Sequence, residues 1–131
     1  MDYKTGLNIV TFEARAILGL NIGYSDKRLS LDDLKTAIKK TVSKMNGYTF
    51  SGTLTPTEIV VSGETEYNEP AVLIETPIYP RFPEEKNRFK EKFIEFMGNL
   101  AVELRQERVA VRFTDESLMI ETKYCQNPDI K

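Results

Sequence analysis

The 131-residue sequence contains no histidine and a single cysteine, Cys125. The first absence removes the side chain most used for proton transfer near neutral pH, and also the commonest metal ligand. Most familiar hydrolase mechanisms are thereby disfavoured. A lone cysteine excludes an internal disulfide and argues against a cysteine-based zinc site, which fits reducing surroundings. Long apolar runs are also missing. Nothing approaches the roughly 20 residues that cross a bilayer, and the start MDYKTGLNIVTFEAR has no basic stretch leading into a continuous apolar one. The expectation is a cytoplasmic protein with no membrane partner.

Basic surplus is lacking as well. Eighteen Lys and Arg stand against 20 Asp and Glu, a net charge of −2 with a pI near 5.3, which argues against sequence-independent nucleic-acid binding. The sequence contains no GxSxG, GxxxxGK[ST] or GxGxxG motif. The carboxylate pairs Asp32-Asp33, Glu84-Glu85 and Asp115-Glu116 fall at helix starts or turns, where capping and dipole effects account for them. No cofactor or metal is called for, and a non-enzymatic protein is the expectation. There is no repeat, low-complexity tract or linker.

What is present is an ordinary globular composition, 40% hydrophobic and 29% charged, at a length suited to one core. Residues 1–123 read as a single α+β domain and 124–131 as a loosely held tail. Glu13 to Gly23 carries Ile17, Leu18, Leu20 and Ile22 and reads as a central strand. Ser30 and Asp33 resemble a capping box. Leu31, Leu34, Ile38, Val42 and Met45 then follow at helical spacing, with Lys35, Lys39, Lys40 and Lys44 as a solvated face. Between Tyr48 and Tyr79, β-formers are interrupted at Thr55-Pro56, Ser62-Gly63 and Asn68-Glu69-Pro70, which predicts two or three antiparallel strands.

Pro83 suits a first helical position, and Phe89, Phe93, Phe96, Met97, Leu100 and Leu104 form a core-facing stripe behind it. Gly98 within that helix is expected to admit a close neighbour. Val109, Val111 and Phe113 alternate against Arg108, Ala110 and Arg112, then a turn leads to Leu118, Met119 and Ile120, a terminal hairpin. The predicted order is β-α-β-β(-β)-α-β-β, with two amphipathic helices packed on one face of a largely antiparallel sheet.

The most distinctive stretch is Ile78-Tyr79-Pro80-Arg81-Phe82-Pro83. Two prolines stiffen a link that brings Tyr79, Arg81 and Phe82 to a helix N-terminus, where unpaired N–H groups and the dipole favour an anion. Arginine adds forked contacts to phosphate and the ring a flat face for a base. With Arg28, Arg108 and Arg112 as further phosphate contacts, the set suits a phosphorylated, nucleotide-derived small molecule. In size, layout and its Arg28, Phe82 and Arg108 set, the chain resembles the phage Thoeris anti-defence family of sponges for cyclic ADP-ribose isomers and related cyclic nucleotides. The resemblance implies a non-enzymatic, homo-oligomeric protein that sequesters its ligand. In topology it is also similar to the tautomerase superfamily, whose N-terminal proline base is replaced here by Asp2 after Met1. A tautomerase-like enzyme using Tyr24, Tyr79 or a lysine, and a protein interaction or inhibitor module, are the alternatives. Poorly covered sheet edges or faces point to a homo-oligomer in any case.

Overall fold

A computed structural model describes residues 2–22 and 27–125. Five strands, β1 (Glu13–Gly19), β2 (Thr53–Val61), β3 (Tyr67–Pro77), β4 (Arg108–Phe113) and β5 (Ser117–Glu121), form one antiparallel sheet in the order β2-β3-β1-β4-β5. Helices α1 (Leu31–Lys44) and α2 (Lys86–Glu103) cover one face. The α+β layout and element order follow the expectation, with β1 central.

Alternation decides which face is covered. Ala14, Ala16 and Leu18 of β1, Val72 and Ile74 of β3, and Val109, Val111 and Phe113 of β4 are buried under the helices. The opposite face carries Arg15, Ile17, Leu73, Arg108, Ala110, Arg112 and Met119. All six apolar residues of the predicted α2 stripe are buried. Phe93 lies edge-on to Phe113 at 6.0 Å, and Phe96 stacks on Phe50 at 5.1 Å. These aromatic contacts pin α2 to β4 and to the connection between α1 and β2.

At α1 the Ser30 side chain accepts from the Asp33 N–H, and the Asp33 carboxylate accepts from the Ser30 N–H. The Ser30 N–H, and after it the Ser30 hydroxyl, holds the Asp33 carboxyl below its ordinary value in this reciprocal cap.

Four local expectations are corrected. Thr55-Pro56 and Asn68-Glu69-Pro70 lie inside strands rather than in turns. Pro56 is tolerated because β2 is an edge, where a missing N–H costs no ladder bond. Pro70 cannot return the bond that its carbonyl accepts from Leu20 N–H at 2.9 Å; the Leu20 carbonyl accepts instead from Leu29 N–H at 2.7 Å. Pro83 precedes α2, which starts at Lys86 after an N-cap at Glu85. A Cβ at Gly98 would meet nothing within 4 Å, so no element approaches it. Cys125 is buried at 7% exposure and its N–H donates to the Thr122 carbonyl; the chain is therefore held beyond Lys123. The end of the first strand expected at Gly23, and Tyr24, lie outside the described residues, as do 126–131.

Candidate functional site

The antiparallel register gives the sheet two ends. Glu13 of β1 pairs with Pro77, whereas Gly19 pairs with Ala71. Tyr79, Arg81 and Phe82 follow β3 and so lie at the foot, beside Glu13. Arg28 is bridged to Asn21, and Arg108 pairs with Glu121. Both lie at the head. A seven-residue strand separates the two groups by roughly 20 Å at the usual rise. Within one chain the structure brings Arg28 and Arg108 to one end and Tyr79, Arg81 and Phe82 to the other. Arg112 is apart from both arginines of the head: it pairs with Arg15 and lines a shallow groove with Thr11, Glu13 and Thr114.

The anion site expected at the start of α2 is corrected. The Glu85 side chain accepts from the N–H groups of Asn87 at 3.0 Å and Arg88 at 2.8 Å, and these bonds hold its carboxyl below the ordinary value. An anion already occupies that helix end. Arg81 lies over the Phe82 ring at 5.7 Å, so the two side chains partner each other.

At the head the structure assembles residues that the sequence did not single out. The Glu69 carboxylate accepts from Asn21 N–H at 3.0 Å, and Gln106 Nε2 donates to the Asn21 carbonyl at 2.7 Å. Asn21 Nδ2 donates to the Tyr67 hydroxyl at 3.4 Å. Partial desolvation, then the hydrogen bond and charge of Glu69, hold the Tyr67 phenol above its ordinary value; it stays a neutral hydroxyl in the working range. Thr122 Oγ1 donates to the Gln106 carbonyl, tying β5 into the cluster. Arg108 Nε stands 3.6 Å from Glu121 Oε1. Carrying the β1–β4 register two residues on places Arg108 across from Gly19.

Asn21 Oδ1 and Glu107 Oε1 are buried without a hydrogen-bond partner among the described residues. A buried oxygen left unsatisfied costs about 1–3 kcal/mol, and such atoms mark places where a ligand or water completes the bonding. The head thus offers three carboxylates, two arginines, a phenol and two amides around the end of β1. Gly19 was the available signal, since a glycine ending a central strand announces close approach. Glu69 was obscured by reading Asn68-Glu69-Pro70 as a turn.

No protein-family model and no curated protein sequence matches the chain. Two solved structures do resemble it. One is a phage SAM lyase in its apo state, with a TM-score of 0.69 and 22% identity, covering 86% of this chain and 90% of that one. The other is a phage SAM lyase in complex with S-methyl-5'-thioadenosine, with a TM-score of 0.68 and 19% identity, covering 95% of this chain and 100% of that one. The shared fold is one on which a phage enzyme binds a nucleoside-derived ligand. This corrects the expectation of a non-enzyme. Motif searches recognise chemistry that needs a histidine, a nucleophile elbow or a phosphate loop, and a lyase can work without any of these. Among the described residues no helix is long and apolar enough to cross a membrane.

Proposed function

We propose that this chain is a lyase acting on an adenosyl sulfonium, S-adenosylmethionine in the first instance, at the head of the sheet. The likeness to phage SAM lyase supports the reaction class. The observation that carries the site is the mixed-charge cluster around Asn21, with its two unsatisfied buried oxygens.

The substrate's amino-acid end is a zwitterion beside a sulfonium. Glu69 and Glu107 suit the ammonium and the sulfonium charge, and Arg28 and Arg108 suit the carboxylate through forked hydrogen bonds. When the S–Cγ bond breaks, its electron pair stays on sulfur, which leaves as the neutral thioether S-methyl-5'-thioadenosine. The four-carbon remainder is completed without water, by its own carboxylate oxygen bonding to Cγ or by loss of a Cβ proton to a carboxylate. Because the leaving group departs neutral, no general acid is needed. A chain without histidine is equipped for this.

The helix-free face supports assembly with further copies of the chain. Ile17, Leu73, Ala110 and Met119 run across it as an apolar stripe, with Met119 54% exposed. Arg28, Arg108 and Phe82, the set behind the anti-defence resemblance, would meet on one ligand only where the head of one copy approached the foot of another.

Incubation with S-adenosylmethionine followed by mass spectrometry tests the function. Release of S-methyl-5'-thioadenosine is the expected result, with loss of at least a hundred-fold in rate for Glu69→Gln at unchanged thermal midpoint. Substrate recovered intact, or full activity in Glu69→Gln, overturns the reading.

A further inference from the structure

The foot of the sheet holds a cavity of about 700 Å³ between the α1–β2 connection, the two-proline link and α2. That volume is typical of a site for a small organic ligand. We infer that this cavity, separate from the lyase site, binds a flat aromatic molecule that is neutral or cationic, and discriminates against phosphorylated ones.

Its walls are aromatic. Tyr48 and Phe93 form the inner side, and Tyr79 and Phe82 stand at the mouth, 40% and 70% exposed. Tyr48 packs on Phe96 at 5.3 Å, and Phe93 is fully buried, so the inner wall is rigid. A planar ring entering between them gains stacking on both sides without reorganising the core. Thr49 and Ser51 supply hydroxyls for its edge. The Thr76 hydroxyl donates to the Ser51 carbonyl at 2.6 Å, which leaves its oxygen lone pairs as acceptors.

Charge at the mouth sets the discrimination. Glu84 lines the cavity, and the adjacent helix N-terminus is filled by Glu85. Lys92, the cation of the lining, stands 3.6 Å from Glu95. A phosphate brought here meets Glu84 in the lining and Glu85 beside it, and finds the Asn87 and Arg88 N–H groups already bonded. Burial, reinforced by Glu84, raises the Tyr48 phenol well above its ordinary value, so it presents a neutral hydroxyl.

The probes are adenosine and adenosine monophosphate, titrated into the full chain with amide NMR shifts as readout. Adenosine is expected to move the signals of Thr49, Tyr79 and Phe82, and to bind at least ten-fold tighter than the monophosphate. Phe82→Ala and Tyr79→Ala, both at exposed positions, should each weaken adenosine roughly ten-fold at unchanged thermal midpoint. Glu84→Gln should narrow the gap between the two probes. In Glu69→Gln, which disables the head, adenosine binding at the foot should persist, so failure here and failure of the lyase reading are separate results. Shifts confined to Asn21 and Gln106, binding indifferent to both aromatic variants, or a monophosphate that binds tighter than adenosine overturns the inference.

Discussion

A Cβ built on Gly19 would lie 2.7 Å from the Glu69 carboxylate, which folds across the end of β1 to accept from Asn21 N–H. The two residues are 50 positions apart in sequence, and the position of one depends on the size of the other. Glycine is needed here for space.

Gly19→Ala therefore separates activity from stability. The obstructing atoms are the far end of a flexible side chain, which can swing aside at little cost to the fold, but the carboxylate then leaves Asn21. Lyase turnover should fall at least ten-fold while the thermal midpoint moves by only a few degrees. Unaltered turnover would show that Glu69 does not act from this position.

The core makes a contrasting case. Phe93 is 1% exposed and contacts Phe96 and Phe113, so Phe93→Ala should cost about 3–5 kcal/mol. Lys39→Ala, on the solvated face of α1, should be silent in the same denaturant titration.

Cys125 falls in the stretch that the sequence reads as a loosely held tail, yet it is buried beside the hydrogen-bonded Thr122. Placing a hydroxyl there without an assured partner should cost about 1–3 kcal/mol. Chemical denaturation of Cys125→Ser measures this; a loss below a few tenths of a kcal/mol would mean the serine finds a partner.

Acid should destabilise the protein in a narrow window. Backbone donors lower Asp33 and Glu85, and the Lys90 ammonium, 2.8 Å away, does the same for Asp115. Each carboxylate's folded pKa is depressed, so its contribution is present above the unfolded value of about 4 and is lost as pH falls through the folded one. With no histidine in the sequence, the thermal midpoint should be nearly level from about pH 5.5 to 8 and drop below about pH 4. Asp115→Asn should shallow that drop.

Assembly is checked by sedimentation. A mass of at least twice the 15.0 kDa chain is expected at micromolar concentration. Met119→Lys, a charge placed in the apolar stripe of the open face, should shift the protein toward monomer.

Periodicity by itself determined the elements. The α1 cap at Ser30, the α2 stripe and the β4 alternation are local patterns, because side-chain direction repeats every 3.6 or 2 residues whatever lies around them. Pro56 and Pro70 misled the same reading, since a proline's cost depends on whether its missing N–H faces solvent or a neighbouring strand. Only the strand order decides that. The candidate site lay further out of reach. Asn21, Tyr67, Glu69, Gln106 and Arg108 come from three separated stretches and share no motif. What unites them is the antiparallel register, which lays the end of β1 between the start of β3 and the start of β4. That register also sent Phe82 to the other end of the sheet from Arg28 and Arg108, because a strand's direction fixes which of its ends a following loop can occupy.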